Sequence, residues 1–214
     1  MSAVLAEMTP GFRDATHGAQ QTFRTVLDAM SRPGRVLTLP TTATRGIVPP
    51  ASTPSDRPMS AGTAALLLTL LDAETSVHLG GALGSAAAAS YLRFHTGARL
   101  SSEPELAAFA VARAAELDAA LWSDLDLGSD EAPQRGATLI VEVDSLDADA
   151  ATRLNLRGPG IETMQALAVT GLSNGFWAWR VQTAALLPRG VEIILVCGDR
   201  LAALPRTTRI ERET

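Results

Sequence analysis

The stretch from Leu187 to Thr208, LPRGVEIILVCGDRLAALPRTT, narrows the choice of fold more than any other part of the chain. Pro188 and Gly190 interrupt what precedes it. Val191, Ile193, Ile194, Leu195, Val196 and Cys197 then form an almost unbroken apolar run no longer than a strand. A run of that length, rich in β-branched residues, belongs to a strand covered on both faces. Gly198-Asp199 tolerates the positive φ of a tight reversal, so the spacing predicts a hairpin that returns through Arg200 to Leu204 and ends at Pro205. Burying Ile193, Ile194, Leu195 and Val196 contributes about 1.5–3 kcal/mol per side chain. Covering both faces requires helices from elsewhere in the chain, which points to an α/β fold.

The remaining segments supply them. Thr16 or Asp14 can cap a helix running to about Met30, with Ala19, Phe23, Val26, Leu27 and Met30 on one face. Residues 35–39, RVLTL, read as a short strand, and residues 40–59 as a proline-rich loop or arm. Ser60 can cap a helix, AALLLTLLDA, that is apolar nearly all round and therefore buried. A strand follows at residues 76–79. An alanine-rich helix spans residues 85–96, with Gly97 placed to end it. Residues 108–111 read as a strand and 114–125 as a helix with Leu117, Leu121 and Trp122 inward. Residues 137–143, ATLIVEV, form a further strand, with 152–156 as its antiparallel neighbour. Ser173 can cap a helix to Leu186 with Trp177, Val181 and Ala184 on one face. A chain of 214 residues organised this way is expected to form a single α/β domain over 1–214.

Composition removes several kinds of chemistry. All 18 basic residues are arginine, so a Schiff base to a carbonyl or to pyridoxal phosphate, and a phosphate-binding P-loop lysine, are excluded. A net charge of −5 argues against nucleic acid and acidic membrane surfaces as partners. The longest apolar stretch, residues 61–71, is about half of what a bilayer requires. One cysteine and no apolar leader lead us to expect a soluble cytoplasmic protein.

Motifs are sparse. Gly171-Leu172-Ser173-Asn174-Gly175 fits the nucleophile-elbow pattern, but that arrangement needs a histidine after the serine and the last one is His95. Ser173 therefore reads as a helix cap. His17, His78 and His95 have no metal-ligand spacing, and we expect no metal site. Cys197 reads as an inert core thiol. The candidate ligand-binding residues are Arg93 and His95 in a last helical turn, Arg157 beside the Gly158-Pro159-Gly160 turn, whose amides could face an anion, and Arg206 after a strand end. No base, nucleophile and orienting group fall together, so no catalytic residue is assigned.

Taken in order, GAQQTFRTVLDAMSRPG, TAALLLTLLDAETSVHL, YLRFHTGA, GATLIVEV, LRGPGI and GVEIILVCGDRLAALPRTT resemble the H subunit of the bacterial carbon–phosphorus lyase core complex, over roughly residues 12–210. The chain departs from that pattern mainly at 40–59 and 161–187. The resemblance implies a three-layer α/β/α fold with a mixed sheet, similar to the pyridoxal-phosphate-dependent transferases but with no cofactor, in agreement with the missing lysine. It also implies a role in phosphonate catabolism. With companion subunits, the protein is expected to help couple methylphosphonate to the ribose of ATP, displacing adenine to give ribose 1-methylphosphonate 5-triphosphate. The expected partners are the other core subunits, including the radical iron-sulfur subunit, and a second copy when isolated. Carbon–phosphorus cleavage needs a cluster that one cysteine cannot hold. Two roles are compatible with these features: an accessory subunit that presents contact surfaces, or one that contributes arginines to a nucleotide or phosphonate site.

Overall fold

A computed structural model describes residues 9–51 and 57–212. Its strands in chain order are β1 (Leu37–Thr38), β2 (Ser76–Leu79), β3 (Arg99–Leu100), β4 (Phe109–Arg113), β5 (Thr138–Glu142), β6 (Thr152–Arg157), β7 (Gln165–Val169), β8 (Glu192–Cys197), β9 (Arg200–Leu204) and β10 (Arg209–Arg212). The helices are α1 (Ala15–Ser31), α2 (Thr41–Thr44), α3 (Ala61–Leu70), α4 (Ala86–Thr96), α5 (Ala119–Ser123) and α6 (Asn174–Thr183). Residues 52–56 of the expected arm lie outside the described residues; α2 is a single turn within it.

Seven strands form one mixed sheet in the order β1-β9-β8-β5-β4-β2-β3. From β8 to β3 neighbours run parallel, while β8–β9 and β9–β1 are antiparallel. The expected hairpin pairs Ile193 with Leu204 and Cys197 with Arg200, and its turn uses Gly198 at φ 64°. Side chains alternate between two cores. Leu139, Val141, Ile193, Leu195, Ala202 and Leu204 enter one; Ile140, Ile194, Val196, Leu201 and Ala203 enter the other.

The second core is covered by α1, α3 and α4. Local chemistry starts each helix: Asp14, Ser60 and Ser85 accept the amides of His17, Thr63 and Ala88. Gly97, at φ 74°, ends α4. In α3 every residue from Gly62 to Leu67 is buried. Gly62 lies so close to the carbonyl of Gly198 that any side chain there would collide with the hairpin turn.

The first core is covered differently from the three-layer α/β/α expectation. Beside α5 and α6 lies a separate antiparallel sheet, β10-β6-β7, contributing Leu154, Leu156, Leu167, Val169 and Ile210. Thus β6 is not the antiparallel neighbour of β5. Both edges of β5 are taken by β4 and β8, and the alternation of β6, with Leu154 and Leu156 in and Arg153 and Arg157 out, suits a sheet with one solvated face.

Two helix faces also differ from expectation. In α1 the packed stripe is Gly18, Thr22, Val26 and Ala29, whose small side chains allow close approach to α3, while Phe23 and Leu27 are about half exposed. In α6 the buried face is Phe176, Trp177, Arg180 and Thr183, and Val181 faces out. The helix expected over 114–125 is split into a 3-10 turn at Ala114–Glu116 and α5, which Asp118 caps at the amide of Leu121 (2.8 Å).

Candidate functional site

Open parallel sheets bind ligands outside the C-terminal ends of their strands, at the point where crossovers change face. Here β2 continues into α4 on one face, and β4 continues toward α5 on the other, so that point lies between β2 and β4. The chain fills it with its own charges. Arg113, at the end of β4, approaches Glu142 at the end of β5 (Nε to Oε2, 3.4 Å) and Glu116 (Nη1 to Oε1, 3.4 Å). It also donates to the carbonyls of Arg57 and Pro58. Buried Glu142 accepts the amide of Ser60 at 2.5 Å. Glu116 accepts the amide of Ala82, in the glycine-rich turn after β2, at 2.7 Å. A ligand anion would use such a turn amide; here a carboxylate of the chain holds it. Arg113 and Glu116 are neighbours at i,i+3, but Glu142 carried no recognisable spacing to them in the sequence, because its approach to Arg113 depends on strand order.

The candidate residues fall in three places. His95, half-buried, bonds through Nε2 to the carbonyl of Thr9 (3.1 Å) and packs edge-on against Tyr91 and Phe94, so it anchors the N-terminal segment. Arg93, two residues earlier in the same last turn, is exposed. It lines an open groove of about 500 Å³ with His78, Leu79, Gly84, Ala89, Leu100, Ser101 and Ser102. Arg157 is exposed on β6 and donates to the carbonyl of Thr163 (3.1 Å). In the turn that follows, Gly158 (φ 137°) lies against the carbonyl of Thr207. Gly160 (φ 83°) lies against the carbonyl of Ser31, where a Cβ would clash, and it also lines a groove with Arg32 and Arg35. Arg206 turns inward, making a 2.5 Å ion pair from Nε to Glu192 Oε1 and also donating to the carbonyls of Pro133 and Pro188.

Arg180 was missed by sequence reading. It sits on the packed face of α6 with 2% exposure and donates to the carbonyls of Pro205 (2.7 Å) and Thr208 (3.1 Å), fixing the link between β9 and β10. Burial pulls its guanidinium down to about 10, an effect partly offset by the charge of Glu192. The available signal was its spacing, three residues after Trp177 and four after Phe176, which puts it on the apolar face.

Ser173 caps α6 by accepting the amide of Phe176 (3.2 Å). Cys197 is half-buried rather than a core residue, with Sγ 3.5 Å from the carbonyl of Asp144. Among the described residues no group of three or more His, Cys, Asp or Glu could hold a metal ion, and no helix is long and apolar enough to cross a membrane.

These features define a lysine-free α/β protein with a mixed sheet whose edge crevice is closed by its own ion pairs. Its sequence matches the family described as bacterial phosphonate metabolism protein (PhnH) over residues 10–211, and the chain belongs to that family. It is 36% identical over 207 residues to the alpha-D-ribose 1-methylphosphonate 5-triphosphate synthase subunit PhnH of Rhizobium meliloti (strain 1021), covering 94% of each chain. It is 32% identical over 191 residues to the putative C-P lyase subunit protein HtxG of Stutzerimonas stutzeri, covering 89% of this chain and 85% of the relative.

Proposed function

We propose that this chain is an accessory subunit of the carbon–phosphorus lyase core complex, required with companion subunits to form ribose 1-methylphosphonate 5-triphosphate from ATP and methylphosphonate, and inactive alone. The observation that carries the reading is the family match over residues 10–211, with relatives named as subunits of such a system. A physical argument supports it. Arg113, Glu116 and Glu142 at the sheet edge are paired with one another or with backbone, so none of these three is poised as base or nucleophile.

In this reading the protein works in the cytoplasm, contacts the radical iron-sulfur subunit and pairs with a second copy when isolated. Exposed Phe23 and Leu27 on α1 offer apolar surface of the kind that oligomers cover. The large mixed sheet is related to that of the pyridoxal-phosphate-dependent transferases, with the cofactor lost along with its lysine.

A second reading, in which the subunit's arginines reach the nucleotide or phosphonate directly, has one observation in its favour. His78, Ser101 and Ser102 line the same groove as Arg93, and no carboxylate lines it. Reconstitution separates the two readings. Omitting the chain from the set of core subunits abolishes or greatly slows adenine release under both. Arg93→Ala lowers turnover in a normally assembled complex only under the second. Turnover of ATP or methylphosphonate by the isolated chain refutes both.

A further inference from the structure

Among the described residues, the outward face of the three-stranded sheet carries more arginines than acids. Along β6, Arg153 and Arg157 are exposed while Leu154 and Leu156 are buried. Arg209 of β10 lies directly opposite Arg157, and Glu211 opposite Asn155. On the other side, Ala166 and Ala168 of β7 lie opposite Asn155 and Arg153. Among the described residues, Arg153, Arg157 and Arg209 take part in none of the ion pairs.

Directly opposed residues have Cβ atoms about 5 Å apart, and like charges there weaken a sheet where opposite charges would strengthen it. The chain has 23 acidic residues against 18 arginines, so three guanidiniums on one small sheet with no ion pair among the described residues run against its overall charge. The methyl side chains of Ala166 and Ala168 leave the face low beside β6, so that a second surface can come close. Arg153 stands about 13 Å along the strand from Arg157, so a single small anion held between the directly opposed Arg157 and Arg209 leaves Arg153 without a partner. Engaging all three arginines takes several acidic groups at comparable spacing, and a protein surface supplies them.

We propose that this face docks against a carboxylate-rich surface of a companion subunit, with the Arg157–Arg209 pair at the centre of the contact. The inference rests on the accessory-subunit reading and adds to it the face that meets the partner. Reversing either central charge has opposite consequences for stability and for assembly. Arg209→Glu places a carboxylate opposite Arg157, so the isolated chain melts at or above the wild-type temperature. Association with the companion subunits falls about tenfold or more, because a complementary contact becomes a repulsive one.

The test measures association of the full chain with the purified companion subunits across a range of NaCl concentrations, for wild type, Arg157→Glu, Arg209→Glu and the milder Arg153→Ala. The expected result is weaker association in all three variants, with a shallower dependence on salt, alongside unchanged or raised melting temperatures. Glu211→Gln, which removes the acid opposite Asn155, is expected to tighten association. Wild-type association that both reversals leave within about twofold overturns the docking face while sparing the accessory reading. A wild-type chain that does not associate at all overturns that reading and the inference with it.

Discussion

Arg180→Ala tests the account of the buried guanidinium. The side chain is 2% exposed, and its Nη2 serves two backbone carbonyls, Pro205 at 2.7 Å and Thr208 at 3.1 Å. Leaving each carbonyl without a donor costs about 1–3 kcal/mol, and truncation adds a cavity. Two terms oppose this. The desolvation cost of the charge disappears, and Glu192 keeps Arg206 as its partner, so no carboxylate is orphaned. The balance is a loss of about 2–4 kcal/mol. For a chain of 214 residues that lowers Tm by about 4–16 °C. Arg180→Met fills the volume but not the carbonyls, so it falls between alanine and wild type. Urea denaturation gives the magnitude. Hydrogen exchange gives the location: amides of residues 209–212 lose protection first, because the link from β9 to β10 is what the guanidinium holds. An alanine variant within about 0.5 kcal/mol of wild type, with β10 still protected, refutes the reasoning.

Ile194→Asp places an unpaired charge in a strand covered on both faces and is expected to cost several kcal/mol; a soluble variant with unchanged Tm would misplace the core. Ser173→Ala removes only the cap of α6, so a loss of about 0.5–2 kcal/mol with growth on phosphonate intact is expected; a stable variant unable to grow would restore a chemical role for the serine. Burial raises the Tyr91 phenol to about 12 from 10.0, so its contribution to stability is fully present below pH 10 and lost as pH rises through about 12. Tyr91→Phe is therefore expected to lose less stability than wild type between those values in denaturant titrations, and equal losses would count against the buried phenol.

Much of the local structure was legible because its causes are local. The apolar run at 191–197 could only be a doubly covered strand, Gly198-Asp199 made the reversal, and Ser60, Ser173 and Gly97 marked helix ends through contacts spanning a few residues. The absence of lysine by itself rules out a lysine Schiff base and a P-loop lysine. Alternation in 152–157 likewise showed which side chains face inward, but a period of two says nothing about which strand lies alongside. Only the tertiary structure took β6 away from β5 and placed it between β10 and β7, with Arg157 opposite Arg209. Arg206 was legible as a charge at a strand end, whereas its engagement by Glu192 depended on the register of β8 against β9. The closing of the crevice by Glu142 on Arg113 was hidden for the same reason. Ion pairs act across space at a few ångströms, and only the packing of β4 beside β5 brings Arg113 and Glu142, 29 residues apart in the chain, within that range.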